Sequence, residues 1–279
     1  MKKACVIGWP IKHSRSPLIH NYWLKQLQIS GIYERVAVEP KDLRSFIRNL
    51  KQNGYLGCNV TIPHKEAVLA AVDCYDKIVR ETGSLNTVFL NGDKIQGTST
   101  DGEGFLSNIL SQFPDHRMQG KTIFMIGAGG SAKAICQKLI EEKVQTIFVL
   151  NRTPERVFEL QELFGSKIYK LPSNEIRQHL KISDVLINTT SQGMRGQPPL
   201  EIEIRDLPKH ALVADIVYVP LKTELIAQAE SLGLKAVPGL GMLLHQAVAG
   251  FQHWFGVRPE VNQELYDLVA NDISMEQSK

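Results

Sequence analysis

The stretch at residues 121–153, KTIFMIGAGGSAKAICQKLIEEKVQTIFVLNRT, constrains the fold more than any other. An apolar run leads into a glycine-rich turn, then a segment of helical period, then a second apolar run. That is a complete strand, helix, strand unit. Strands joined through a helix suit a parallel sheet, whose buried strands read as continuous apolar runs.

The alternation continues along the chain. ACVIG, YERVAV and GCNVT read as strands, and SPLIHNYWLKQLQI and KDLRSFIRNLKQ read as helices. KEAVLAAV opens another helix and places Lys65 at its start, where the dipole disfavours a cation. LNTVFLNGDKIQGTS reads as a hairpin with Asn91-Gly92 in the turn. A helix from about Gly102 carries the chain onward. DVLINTT and ALVADIV supply further buried strands, and GMLLHQAVAGFQHWFG a long amphipathic helix. The pattern predicts α/β architecture. It divides into a domain over 1–102, a second over 103–237, and helices over 238–279 that pack back on the first. The polar tail NDISMEQSK is expected to fray.

Composition excludes several classes. With 43% hydrophobic and 22% charged residues, the 279-residue chain is globular and long enough for two domains. A net charge of +3 without a basic block argues against nucleic-acid binding. No run reaches transmembrane length, and Pro10 and Lys12 break the N-terminal apolar stretch too early for a signal peptide. Cys5, Cys58, Cys74 and Cys136 lie far apart in apolar surroundings, as reduced core residues of a cytoplasmic protein would. The eight histidines are scattered and no zinc spacing occurs, so no metal is expected.

Gly127-Ala128-Gly129-Gly130-Ser131-Ala132 fits G-x-G-x-x-A between a strand and a helix, which is the context of a dinucleotide site. The glycines let backbone approach a pyrophosphate, and the helix N-terminus offers N–H groups and partial positive charge. The second strand ends in Asn151-Arg152-Thr153, followed by Arg156. An acidic residue there would accept the ribose hydroxyls of NAD; guanidiniums and a hydroxyl suit a 2′-phosphate instead. The cofactor read from these residues is NADP.

Small polar residues gather in four other stretches. Ser14 and Ser16 precede Pro17 at a helix start, where they can cap the helix or hold a carboxylate. GCNVTIPHKEAV carries Thr61 and Lys65, GSLNTVF carries Asn86, and GTSTDGEGF carries Asp101, which can itself cap the helix from Gly102. In order, the chain shows HSRSP, NVTIPHK, GSLNT, STDGEGF, GAGGSAKA, NRTPER, NTTSQGM, DIVYVPLKT and GLGMLLHQ. This series resembles the shikimate dehydrogenase family over nearly the whole length. Ser84, Ser99 and Lys133 stand where that family more often has Ala, Asn and Arg.

The resemblance implies two domains with the active site in the cleft between them. It implies NADPH-dependent reduction of 3-dehydroshikimate to shikimate, a step toward the aromatic amino acids, by a monomer or homodimer. Ser14, Ser16, Thr61, Asn86, Asp101, Tyr218 and Gln246 would contact substrate, and Gly127 to Ser131, Asn151 to Arg156, Ile216 and Gly239 the cofactor. Hydride delivered to a ketone leaves charge on its oxygen, which a proton must neutralise. Lys65 and Asp101 suit that task, and the pair looks like the family's catalytic dyad. His13 and His64 read as packing or hydrogen-bonding neighbours. The rival readings are a quinate/shikimate or aminoshikimate dehydrogenase and a non-catalytic NADP sensor on the same scaffold.

Overall fold

The computed structural model describes residues 1–277. The chain forms two compact units, Met1–Gly104 with Leu244–Val269, and Phe105–Leu243 with the chain from Ala270 on. The first contains β1 (Lys2–Gly8), α1 (Ser16–Gln26), β2 (Gly31–Ala37), α2 (Leu43–Arg48), β3 (Gly57–Val60), β4 (Cys74–Tyr75), α3 (Lys77–Thr82), β5 (Thr87–Asn91) and β6 (Lys94–Thr98). The second contains β7 (Thr122–Ile126), α5 (Gly130–Glu141), β8 (Thr146–Leu150), α6 (Pro154–Phe164), β9 (Ile168–Lys170), α7 (Ile176–Leu180), β10 (Val185–Asn188), β11 (Leu212–Asp215), α8 (Glu224–Ser231) and β12 (Lys235–Val237). Three helices contribute residues to both: α4 (Asp101–Gln112), α9 (Leu240–Phe255) and α10 (Gln263–Gln277).

The second sheet runs β12-β11-β10-β7-β8-β9 with every pair parallel. Its strands are apolar on both faces because both faces are covered. Ile123 and Met125 of β7 and Val185 and Ile187 of β10 enter one core with α5. Phe124, Ile126 and Leu186 enter the other with Leu225 and Ala229 of α8. Strand order reverses direction between β7 and β10, a topological switch point where α/β sheets bind ligands.

The first sheet, β2-β1-β3-β5-β6-β4, is mixed. β3 and β5, and β5 and β6, are antiparallel. Cys5, Ile7, Cys58 and Val60 pack on one face. Period-two alternation sends Asn59 to the other, where Trp254 of α9 donates Nε1–H to the Val88 carbonyl at 2.9 Å. Gly57 makes that approach possible: a Cβ there would stand 2.1 Å from Val88 O and 2.2 Å from Trp254 Nε1.

Four local expectations are corrected. KEAVLAAV forms only a 3₁₀ turn, Ala67–Ala71. Leu85 N–H takes the Lys65 carbonyl at 2.9 Å, so it is unavailable to an α-helix. Lys65 therefore sits in a turn and does not open an α-helix of its own. The two-residue hairpin loop is Gly92-Asp93, because Asn91 pairs with Lys94; Gly92 takes the positive φ of +62°. α1 begins at Ser16 itself, so neither serine is its N-cap; Ser14 Oγ instead accepts Ser16 N–H at 3.3 Å. The tail from Asn271 to Gln277 is the end of α10, anchored by buried Ile273, and Ser278 and Lys279 lie outside the described residues. Among the described residues no helix is long and apolar enough to cross a membrane.

His20, in α1, is fully buried. Its ring stacks on Tyr33 at 4.1 Å and packs against Trp23, Phe251 and Trp254. Neither ring nitrogen has a hydrogen bond of good geometry. Burial pushes its pKa down to about 3, weakly opposed by Asn59. The folded chain thus refuses a proton that the unfolded chain accepts below about pH 6.5. Stability contributed by the neutral ring is lost as pH falls from about 6.5 toward 3, by about 1.4 kcal/mol per unit. His20→Phe keeps the stack and removes the titration. Thermal melts between pH 7 and 4 should show a shallower decline for the variant; parallel declines would assign the acid sensitivity elsewhere.

Candidate functional site

In the first unit a buried polar network forms where β3, β5 and α4 meet. Asp101 is the first residue of α4, where a carboxylate is favoured by the helix N-terminus. It is 5% exposed. Its Oδ2 accepts from Lys65 Nζ, and its Oδ1 from Asn86 Nδ2 at 2.6 Å. The backbone sets this pairing: Leu85 N–H on the Lys65 carbonyl ties the turn to the start of β5.

Asn86 is the hub. Its Oδ1 accepts from Thr100 N–H at 3.0 Å and Thr87 Oγ1 at 2.9 Å. A backbone N–H can only donate, which fixes the amide's orientation. Its Nδ2 also reaches Thr100 Oγ1 at 2.9 Å and Gln246 Oε1, from α9, at 3.3 Å. Behind it, Asn59 Nδ2 donates to Asn86 O and to Thr87 Oγ1, both at 3.2 Å. Tyr33 O–H closes the chain on Asn59 Oδ1 at 2.6 Å. Ser16 lies near the same buried phenol, and Ser14 Oγ lies 3.3 Å from Ser16 Oγ. Thr61 follows β3, its N–H on Ile7 O at 3.0 Å, and its methyl would stand 2.7 Å from a Cβ on Gly8.

The structure thus brings four of the residues singled out in the sequence, Lys65, Asp101, Asn86 and Gln246, into one bonded network of this unit, and pairs Ser14 with Ser16 near its Tyr33 end. The sequence reading missed Asn59, Thr87 and Thr100. The available signal was Asn59: an amide inside a buried apolar strand demands partners. His64 is buried with Nε2 on Val38 O at 2.8 Å, the bonding role expected of it, whereas His13 is exposed.

In the second unit the cofactor candidates gather at the carboxyl ends of parallel strands. Gly127 follows β7 with φ +106°, and a Cβ there would stand 2.5 Å from Thr189 Oγ1, after β10. Gly127 and Thr189 thus flank the switch point. Gly129 faces open space, so its backbone is approachable, and Gly130 and Ser131 begin α5. Ala128 is buried beneath the turn. Asn151, Arg152 and Thr153 follow β8; Asn151 Nδ2 holds Thr153 O at 2.8 Å, and Arg152 and Thr153 are exposed. Arg156 Nη1 lies 3.3 Å from Glu159, which also pairs with buried Lys133 at 3.1 Å. Burial pushes the Glu159 carboxyl up, but the two cations outweigh it and hold it below its ordinary value.

Ile216 and Tyr218 follow β11, and both are half-buried. A Cβ on Gly239 would stand 2.5 Å from Ile216 O. Buried Asp215 secures this loop, accepting from Asn188 Nδ2 at 2.9 Å, Val217 N–H at 3.0 Å and Thr223 Oγ1 at 2.7 Å. Burial raises its pKa against those three bonds. Asp215 and Asn188 were missed as well, though an acid ending an apolar strand is a readable sign.

The residues fit a dinucleotide phosphate. Open backbone at Gly129, a helix beginning at Gly130 and exposed cations after β8 are the donors a pyrophosphate and a 2′-phosphate need.

Comparison with known proteins agrees along the chain. Residues 6–88 match the model of the shikimate dehydrogenase substrate binding domain. Residues 109–220 match shikimate / quinate 5-dehydrogenase, and 239–263 the shikimate 5′-dehydrogenase C-terminal domain. The NADP(+) shikimate dehydrogenase of Rhodopseudomonas palustris strain TIE-1 is 46% identical over 98% of both chains. Among solved structures, Thermus thermophilus shikimate 5-dehydrogenase with NADP(H) and shikimate is 29% identical, TM-score 0.85, over 98% of this chain and 100% of that one. The Corynebacterium glutamicum quinate dehydrogenase with NAD is 25% identical, TM-score 0.88, over 97% and 99%. With family models matching most of its length and a relative 46% identical across it, the chain belongs to the shikimate dehydrogenase family.

Proposed function

We propose that the chain catalyses the reversible, NADP-linked interconversion of 3-dehydroshikimate and shikimate. The observation that carries the reading is the ion pair of Lys65 with Asp101, held by Asn86, in a chain 46% identical to NADP(+) shikimate dehydrogenase. NADPH, when bound, supplies the hydride. Gly127, Ala128, Gly129, Gly130 and Ser131 hold its pyrophosphate, Ile216 and Gly239 line its site, and Asn151, Arg152, Thr153 and Arg156 receive its 2′-phosphate.

Lys65 donates the proton that the substrate oxygen needs as its carbonyl becomes an alcohol, and takes it back in the reverse direction. Asp101 orients the ammonium and accepts a substrate hydroxyl. Asn86, Thr61 and Gln246 fix the ring hydroxyls, Ser14 and Ser16 the carboxylate, and Tyr218 a further edge of the substrate. Lys65 Nζ also stabilises the charge that grows on oxygen, so its effect is greatest in the transition state.

A quinate dehydrogenase using NAD is the second reading, favoured by the likeness to the C. glutamicum enzyme. The absence of an acid at Asn151-Arg152-Thr153 opposes it. Quinate's extra hydroxyl on the carboxylate-bearing carbon would be unpaired in a site built for the flatter ring. Steady-state assays of shikimate and quinate, each with NADP and NAD, separate the two. Shikimate with NADP should give the largest kcat/KM; equal values for quinate, or for NAD, would favour the second reading.

Arg152→Ala should raise KM for NADP about 10- to 100-fold, the scale of one charge-assisted contact, with KM for shikimate little changed. An unchanged KM would remove Arg152 from the phosphate site. Lys65→Ala should lower kcat by about 10² or more, while shikimate affinity, titrated directly, changes far less. Near-normal kcat would reduce Lys65 to a structural partner of Asp101.

A further inference from the structure

The second unit carries a cavity that the proposed reaction does not use. It measures about 530 Å³ and is lined by His116, Arg117, Lys121, His210 and Lys235, with Asp115 the one acidic residue in its wall. The volume lies within the range of small-molecule sites and exceeds what one inorganic ion fills.

Its position follows from the topology. Lys121 immediately precedes β7, Asp184 precedes β10, His210 stands two residues before β11, and Lys235 opens β12. These four strands are neighbours and parallel, so the residues share the amino end of the sheet. The glycine-rich turn lies at the carboxyl end, with the five residues of β7 between, about 17 Å.

The charges are unevenly matched. Asp184, bonded to two residues of the cavity wall, already accepts from Thr122 N–H at 2.8 Å, Lys121 Nζ at 3.1 Å and His210 Nε2 at 3.0 Å. Lys235 Nζ stands 5.3 Å over the Phe113 ring and has no ion-pair partner among the described residues. Arg117 spends Nη1 on two carbonyls, Pro114 O at 2.8 Å and His116 O at 3.2 Å. His116 Nε2 is buried without a hydrogen-bond partner among the described residues. Burial, then the charges of Lys235 and Lys121, hold that imidazole below its ordinary pKa against the pull of Asp184. That nitrogen lacks the hydrogen-bond partner a buried polar atom needs, and a ligand oxygen could supply it as acceptor from its N–H tautomer.

We propose that this cavity is a second ligand site, which binds a small phosphomonoester through Lys235, Arg117 and His116. A phosphoryl group brings two negative charges and three acceptor oxygens, which match these donors. The remaining volume takes the organic part.

The test is calorimetric titration at pH 7 and constant ionic strength, with glycerol phosphate and inorganic phosphate as probes. The protein is compared with Lys235→Ala, His116→Ala and Arg152→Ala. Saturable binding of glycerol phosphate, tighter than that of phosphate, weakened about tenfold or more by Lys235→Ala and His116→Ala, is expected. Arg152→Ala should leave it intact, which separates this site from the NADP turn whatever that turn binds. Lys235 is exposed, so its variant keeps the test if His116→Ala fails to fold. Absence of saturable binding, binding of phosphate alone, persistence in Lys235→Ala, or loss in Arg152→Ala would each overturn the proposal.

Discussion

A carboxylate removed from water must be met by donors on both oxygens, and Asp101 organises the first unit around that requirement. Lys65 meets one oxygen and Asn86 the other. Asn86 can do so only because Thr100 N–H and Thr87 hold its carbonyl side, and Asn59 with Tyr33 stands behind it. The Lys65 turn is held in place by its own carbonyl bond to Leu85. One buried charge thus specifies the positions of a turn, two strands and a helix start. The geometry of the pair is part of the fold, and Lys65 remains partly accessible, with 18% of its side chain exposed.

The second unit solves a different problem with the opposite device. Uncovered backbone, rather than a buried charge, marks the candidate cofactor turn there, where the sheet brings main chain close and leaves it open. Gly127 allows contact with the end of β10, and Gly129 leaves its face open. Glu159 gathers Lys133 and Arg156 and so supports the cations around the turn. Asp215 does the same for the loop bearing Ile216 and Tyr218, through bonds rather than charge.

The strand, helix, strand unit was legible because periodicity and glycine spacing are local properties. β7, α5 and β8 all fall within KTIFMIGAGGSAKAICQKLIEEKVQTIFVLNRT. The pairing of Lys65 with Asp101 was legible only through ordered motifs, since nothing local marks two residues 36 apart as partners. The turn at Lys65 is not the helix start that its sequence suggests: a long-range bond from Leu85 decides it, and no propensity records that bond. The partners of Asn59 were hidden for the same reason, because Tyr33, Asn86 and Thr87 all lie far from it in sequence. The end of α10 was expected to fray because its tail is polar and its helical character rests on a few buried residues such as Val269 and Ile273.

The central claim is that Lys65 and Asp101 act as one unit. A double-mutant cycle on kcat tests it most directly, with Lys65→Ala, Asp101→Ala and the double variant measured at saturating substrate. If the pair is a unit, the double variant should lose little more than the poorer single variant, because either change alone already disables the proton donor. Losses that multiply would mean that the two residues act independently, and would contradict the account.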